Sequence, residues 1–227
     1  MLEVCVDSLA SAIAAEQGGA HRLEVCGDLA VGGVTPSVTL IQSIQQHTQL
    51  PIMMMVRPRA GDFCYSAREQ ATMYTSIEMA KKMDLQGVVI GALTPESKVD
   101  KPLITNLVAR CQGMEVTFHR AYDVCSEHRD VVQFLIDSGV NRLLTSGRAS
   151  TAMAGSEHIG SLVSSYGKDI CILAGSGLSA ANVQELLRTT GVSEVHGSCR
   201  SSDSAHDTSE QVVADVVRLI SDYRHKK

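Results

Sequence analysis

The residues of this chain that can do chemistry stand at the ends of short apolar runs. Arg57-Pro58-Arg59 leaves one run, with Gly61-Asp62 close behind. Two guanidinium forks separated by a rigid proline can grip a carboxylate or phosphate, and Asp62 can fix one of them. His119-Arg120 ends another run, followed by Asp123. A histidine there can move a proton near neutral pH or ligate a metal, with Asp123 orienting the ring and Glu24 assisting. The same residues can instead form internal salt bridges that only brace the loops.

Three further run ends complete the candidate rim: Ser146-Gly147, Gly175-Ser176-Gly177, and His196 with Ser198. Small residues expose backbone N–H groups, and the second stretch is expected directly before a helix, whose N-terminus favours anions. With Arg57, Arg59, Asp62 and Arg120 these residues make the expected anion-binding set. Cys5 and Cys26 read as equivalent positions on the inward faces of adjacent strands, which lie about 4.8 Å apart. Two thiolates with a histidine or methionine nearby suit Cu(I), although a buried cysteine is also a small hydrophobe. Cys64, Cys111, Cys125, Cys171, Cys199 and the Met53-Met54-Met55 run read as packing residues. The chain carries no nucleophile elbow, His-Glu-x-x-His, Walker loop or dinucleotide fingerprint.

These residues need a scaffold, and the apolar pattern supplies one. Strands are expected at Leu2–Val6, Arg22–Cys26, Ile52–Arg57, Gly87–Ile90, Glu115–His119, Arg142–Thr145, Cys171–Ala174 and Ser193–His196. Helical periods follow, as in Ser37–Gln46, Ala67–Met83, Lys101–Cys111, Ala180–Arg188 and Ser209–Arg224. Eight β-then-α units with short loops predict an α/β fold of TIM type, a (β/α)8 barrel of parallel strands enclosed by helices. Residues 1–227 read as one such domain. Several strands alternate apolar with polar residues where helix-covered parallel strands are usually apolar throughout. Glu3, Arg22, Glu24, Glu194 and His196 are thus expected inside the barrel, with Arg22 and Arg57 neutralising the glutamates. Residues at the strand tops face the mouth, where barrel enzymes place their chemistry.

Composition narrows the partners. The chain has 227 residues, 44% of them hydrophobic and 20% charged, with a net charge of -5. It shows no basic stripe for nucleic acid, the cluster Arg224-His225-Lys226-Lys227 reading as a solvated end. No run approaches the roughly 18 apolar residues of a membrane span, and the opening Met1-Leu2-Glu3 is not that of a secretory signal. Seven cysteines without a Cys-x-x-Cys pair fit reduced thiols in a cytoplasmic protein.

A set of long motifs resembles the CutC copper-homeostasis family. They are Glu3-Val-Cys5-Val-Asp7-Ser8, Arg22-Leu-Glu24-Val-Cys26, Gly32-Gly-Val-Thr-Pro36-Ser37 and Arg57-Pro-Arg59-Ala-Gly61-Asp62-Phe63. Gly91-Ala-Leu-Thr94, Thr117-Phe-His119-Arg120-Ala-Tyr-Asp123, Leu144-Thr-Ser146-Gly147 and His196-Gly-Ser198 continue them in order. The seventh loop, Ala174-Gly-Ser-Gly177, stands where the family commonly has a run of glycines, and Cys199 where it often has alanine. The resemblance implies a cytoplasmic barrel that assembles as a homodimer or larger homo-oligomer. It also implies copper binding, with Cys5 and Cys26 at the positions proposed to hold Cu(I). No reaction comes with the family, so whether the chain is an enzyme stays open. The alternative to a copper-binding role is an enzyme acting on a small anionic or phosphorylated metabolite at the mouth.

Overall fold

Alternation decides which way each strand presents its side chains. In β1 (Leu2–Val6), Leu2, Val4 and Val6 join the main apolar core, so Glu3 and Cys5 face the interior. The computed structural model describes residues 1–127, 130–201 and 207–225; Lys226 and Lys227 of the basic tail lie outside these. The other strands are β2 (Arg22–Val25), β3 (Ile52–Met55), β4 (Gly87–Ile90), β5 (Glu115–Phe118), β6 (Arg142–Thr145), β7 (Cys171–Gly175) and β8 (Glu194–Gly197). All pair in parallel with their sequence neighbours, and β8 closes on β1. The expected (β/α)8 barrel is the observed fold.

Among the described residues the helices are α1 (Leu9–Gln17), α2 (Val38–His47), α3 (Ala67–Lys82), α4 (Lys101–Arg110), α5 (Ala121–Val124), α6 (Asp130–Asp137), α7 (Ser156–Tyr166), α8 (Val183–Thr190) and α9 (Glu210–Arg224). Their starts follow local chemistry. Ser37 and Asp100 accept backbone N–H groups at the heads of α2 and α4, and Ser66 with Glu69 forms a capping box on α3. Inward from the helices, Ile41, Ile44, Met73, Ile77, Ile104 and Leu107 bury against the outer faces of the strands. No helix among the described residues is long and apolar enough to cross a membrane.

The interior has two zones. A small dry cluster joins Cys26, Met53, Met55 and Val89, with Leu29 against it. The rest is a ladder of charge. Arg22 donates to Glu3 at 2.5 Å and to Glu194 at 2.6 Å. Arg142 donates to the same Glu194 oxygen at 3.1 Å and to Glu115 at 2.5 Å. The expected Arg22 pairing with Glu3 and Glu194 is therefore present, whereas Arg57 pairs with none of the interior glutamates. Its guanidinium donates to the carbonyls of Val31, Gly33 and Gly61 instead, because it lies above the ladder where the loop after β2 folds over the mouth.

The ladder sets a stability expectation. Burial opposes the Glu3 charge, but His196 and Arg22 outweigh it and hold its pKa at about 2, below the ordinary 4.5. A carboxyl with a depressed folded pKa contributes stability above its unfolded value and loses it as pH falls toward the folded one. The Arg22→Met variant leaves Glu3 with His196 alone and Glu194 with Arg142 alone, and should lose about 3 kcal/mol at neutral pH. Urea unfolding checks this, and the deficit should shrink as pH is lowered from 4.5 toward 2.

Candidate functional site

The ladder runs upward into the mouth through one ring. Registration sets Glu3 beside both Arg22 and His196, and Cys5 beside Glu24. His196 Nδ1 donates to Glu3 Oε1 at 2.9 Å, and its Nε2 faces Glu24 Oε2 at 3.7 Å. Cys5 Sγ, a Glu24 oxygen and a His196 ring nitrogen all lie within 4.8 Å of one another, and all three residues are buried. Among the described residues this is the one group with metal-ligand chemistry at such range. Burial opposes the imidazolium, yet Cys5, Glu24 and Glu3 outweigh it and raise the His196 pKa well above its ordinary value. Burial also raises the Glu24 carboxyl, with His196 opposing and the Glu3 charge adding.

The other candidate thiol sits elsewhere. Because Cys5 pairs laterally with Glu24, Cys26 lies two residues further along β2's path, and its backbone N–H bonds the Val6 carbonyl. It is not level with Cys5 as the alternation suggested, since a shift of two residues keeps the same face and leaves no trace in the pattern. Cys26 is fully buried in the dry cluster and donates its thiol to Glu24 Oε2 at 3.5 Å. Burial, then the Glu24 charge, pushes its pKa well above the ordinary thiol range. Glu24 thus stands between the two cysteines chemically, with the thiol of Cys26 on the oxygen that faces His196.

His119 occupies the opposite wall. Its Nδ1 accepts the Ala121 N–H at 3.1 Å, which places the proton of the neutral ring on Nε2. Burial and the Arg57 charge lower its pKa to about 3. Gly91 makes room for the ring: a Cβ there would lie 2.3 Å from His119 Cε1. Phe63 packs between Arg57 and His119, 4.9 Å from the guanidinium and 4.8 Å from the imidazole centroid. Asp123 does not orient His119 as expected. It accepts instead from Thr145, Arg120, the backbone of Arg148, and both the backbone and hydroxyl of Ser146.

A cavity of about 350 Å³ connects these walls. It is lined by Cys5, Glu24, Arg57, His119, Arg120, Ser176, Gly177, His196 and Ser198 from the expected set. Arg59 and Asp62 lie outside it, paired with each other at 2.8 Å, and Arg59 also reaches Glu69. Ser146, Gly147 and Gly175 support the wall without lining it, Ser146 being held by Asp123. The Gly175–Gly177 stretch does not run directly into a helix. Residues 178–182 intervene before α8, so the loop turns on its own left-handed residues, Ser176 at φ 87° and Gly177 at φ 71°. Sequence reasoning missed Leu29, Met55, Phe63 and Arg200 as lining residues. Of these, Met55 left a usable signal, since alternation along β3 puts it on the same face as Met53.

The fold and this site define a class: a TIM-type barrel that gathers thiol, imidazole and carboxyl groups beneath an arginine-rimmed mouth. The chain belongs to the CutC family, whose family model matches residues 1–201. It is 43% identical over 202 residues to the mouse copper homeostasis protein cutC homolog, covering 89% of this chain and 74% of that protein. It is 40% identical to a family protein CutC of Photobacterium profundum over 90% of this chain and 84% of the relative. The crystal structure of a CutC protein from Streptococcus agalactiae superposes with a TM-score of 0.83 at 31% identity, over 87% of this chain and 98% of that one. A thiamine phosphate pyrophosphorylase from Pyrococcus furiosus shares the fold alone, at 16% identity, a TM-score of 0.65, and coverage of 98% and 96%.

The neutral, buried His119 has a readable consequence. Its unfolded state takes up a proton below the ordinary 6.5, whereas the folded ring resists protonation down to about 3. The folded state therefore loses stability relative to the unfolded one as pH falls through that window. Urea midpoints of wild type should drop more between pH 7 and pH 4 than those of His119→Gln, which lacks the titrating ring.

Proposed function

We propose that the chain handles copper in the cytoplasm, taking Cu(I) as cargo at the barrel mouth. The observation that carries this reading is the buried Cys5–Glu24–His196 group, with one ligand atom from each within 4.8 Å of the others. Cu(I) is soft and binds thiolate and imidazole ahead of carboxylate oxygen. The donor set fits it: Cys5 Sγ and His196 Nε2 are the ligands, and Glu24 is placed to receive the proton that His196 releases. Cys26, hydrogen-bonded to the same carboxylate, is the second thiol of the site. All seven cysteines are free, as a reducing compartment requires. The relatives named as copper homeostasis proteins in mouse and human support the assignment.

Glu3 gives the site its direction. Its bond to Nδ1 fixes the ring so that Nε2 faces Cys5 and Glu24, the supporting role that carboxylates play behind ligating histidines. Ligation displaces protons from sulfur and imidazole, so affinity falls as pH falls.

The test is anaerobic Cu(I) titration against a competing chelator. Wild type should bind tightly with one ion per chain. Cys5→Ser and His196→Gln should weaken binding by about a hundredfold or more, and Glu3→Gln by roughly tenfold. Cys26→Ser should fall between these. Unchanged affinity in Cys5→Ser would overturn the reading.

A further inference from the structure

The mouth holds more polar chemistry than a copper ion uses. His119 is 2% exposed and Glu24 3%, and both line the cavity. Neither His119 Nε2 nor Glu24 Oε1 has a hydrogen-bond partner in the protein. A buried polar atom without a partner costs free energy that a bound group recovers. The Ala121 N–H fixes His119 Nε2 as a donor. Three arginines also line the cavity, of which Arg57 is committed to the carbonyls of Val31, Gly33 and Gly61. Arg120 is held at the rim by Asp123 and Ser146, and Arg200 has no ion-pair partner among the described residues. Leu29, Met55, Phe63, Leu144 and Leu178 supply apolar wall between floor and rim. At about 350 Å³ the space matches a metabolite-sized molecule and far exceeds a metal ion.

We propose that this cavity binds a small hydroxylated organic acid, with its anionic group at Arg120 and Arg200 and its hydroxyls at His119 Nε2 and Glu24 Oε1. A hydroxyl both accepts and donates, so it satisfies the His119 N–H and either protonation state of Glu24. A plain inorganic anion reaches the arginines and leaves the floor unsatisfied. A neutral polyol does the reverse. Carboxylate and phosphate share the chemistry the arginines recognise, so both kinds of acid are probed. Glu24 is shared with the proposed metal site, whereas His119, Arg120 and Arg200 take no part in it, so the acid is probed on metal-free protein.

Calorimetry on metal-free protein tests it, with D-glycerate and sn-glycerol 3-phosphate as probes and glycerol and inorganic phosphate as controls. At least one acid should bind more tightly than both controls, and the better one identifies the anionic group. Arg200→Ala and His119→Phe should each weaken binding about tenfold or more, as loss of a hydrogen bond to a charged or buried partner does. Arg59→Ala, outside the cavity, should bind as wild type. Should His119→Phe fail to fold by circular dichroism, Glu24→Gln and Arg200→Ala decide. No heat from either acid at 10 mM, binding no tighter than inorganic phosphate, or indifference to Arg200→Ala would overturn the proposal. Copper titration of the same preparations separates this outcome from failure of the metal reading.

Discussion

Glu3 carries one carboxylate between two cations, Arg22 on Oε2 and His196 on Oε1. A fully buried anion is costly by itself, and only simultaneous pairing makes it tolerable. The two partners come from the strands flanking β1 on either side, so the same carboxylate spans the seam where the last strand meets the first. Below it the ladder continues through Glu194 and Arg142 to Glu115. Above it the imidazole ring meets Cys5 and Glu24. The closure of the barrel and the orientation of the site are therefore one electrostatic arrangement.

That arrangement explains the division of labour between the two thiols. Cys5 opens onto the cavity beside a cationic ring, whereas Cys26 is sealed among methionines and hydrogen-bonded to a carboxyl. One thiol lines the cavity, and the other is closed off from it. Similarly, two of the conspicuous arginines brace structure. Arg57 ties the loop after β2 to the rim through three carbonyls, and Arg59 is saturated by Asp62, Glu69 and the Cys64 carbonyl. The other two arginines that line the cavity, Arg120 and Arg200, follow β5 and β8.

What could be read from the amino acids follows the periodicities involved. A period of two assigns faces, so Glu3, Arg22, Glu24, Glu194 and His196 were legible as interior residues, and the count of β–α units gave the closed sheet. The same period is blind to a two-residue shift, which is why Cys5 aligned with Cys26 on paper and stands beside Glu24 in the fold. Side-chain partnerships in loops carry no period at all. Asp123 follows His119 by four residues, yet turns to Thr145 and Ser146 because α5 begins at Ala121 and carries it toward β6. Arg200 went unread for a similar reason, standing beyond the last strand where no alternation points.

The pairing of residue 3 with residue 196 also fixes when the site comes into being. A ribosome delivers Glu3, Cys5, Arg22 and Glu24 early and the imidazole last. Until β8 emerges, the growing chain has two acidic groups and a thiol facing an unclosed edge, and no ring to organise them. The Cys5–Glu24–His196 group therefore assembles only when β8 joins β1, and a product that stops before Glu194 lacks its imidazole.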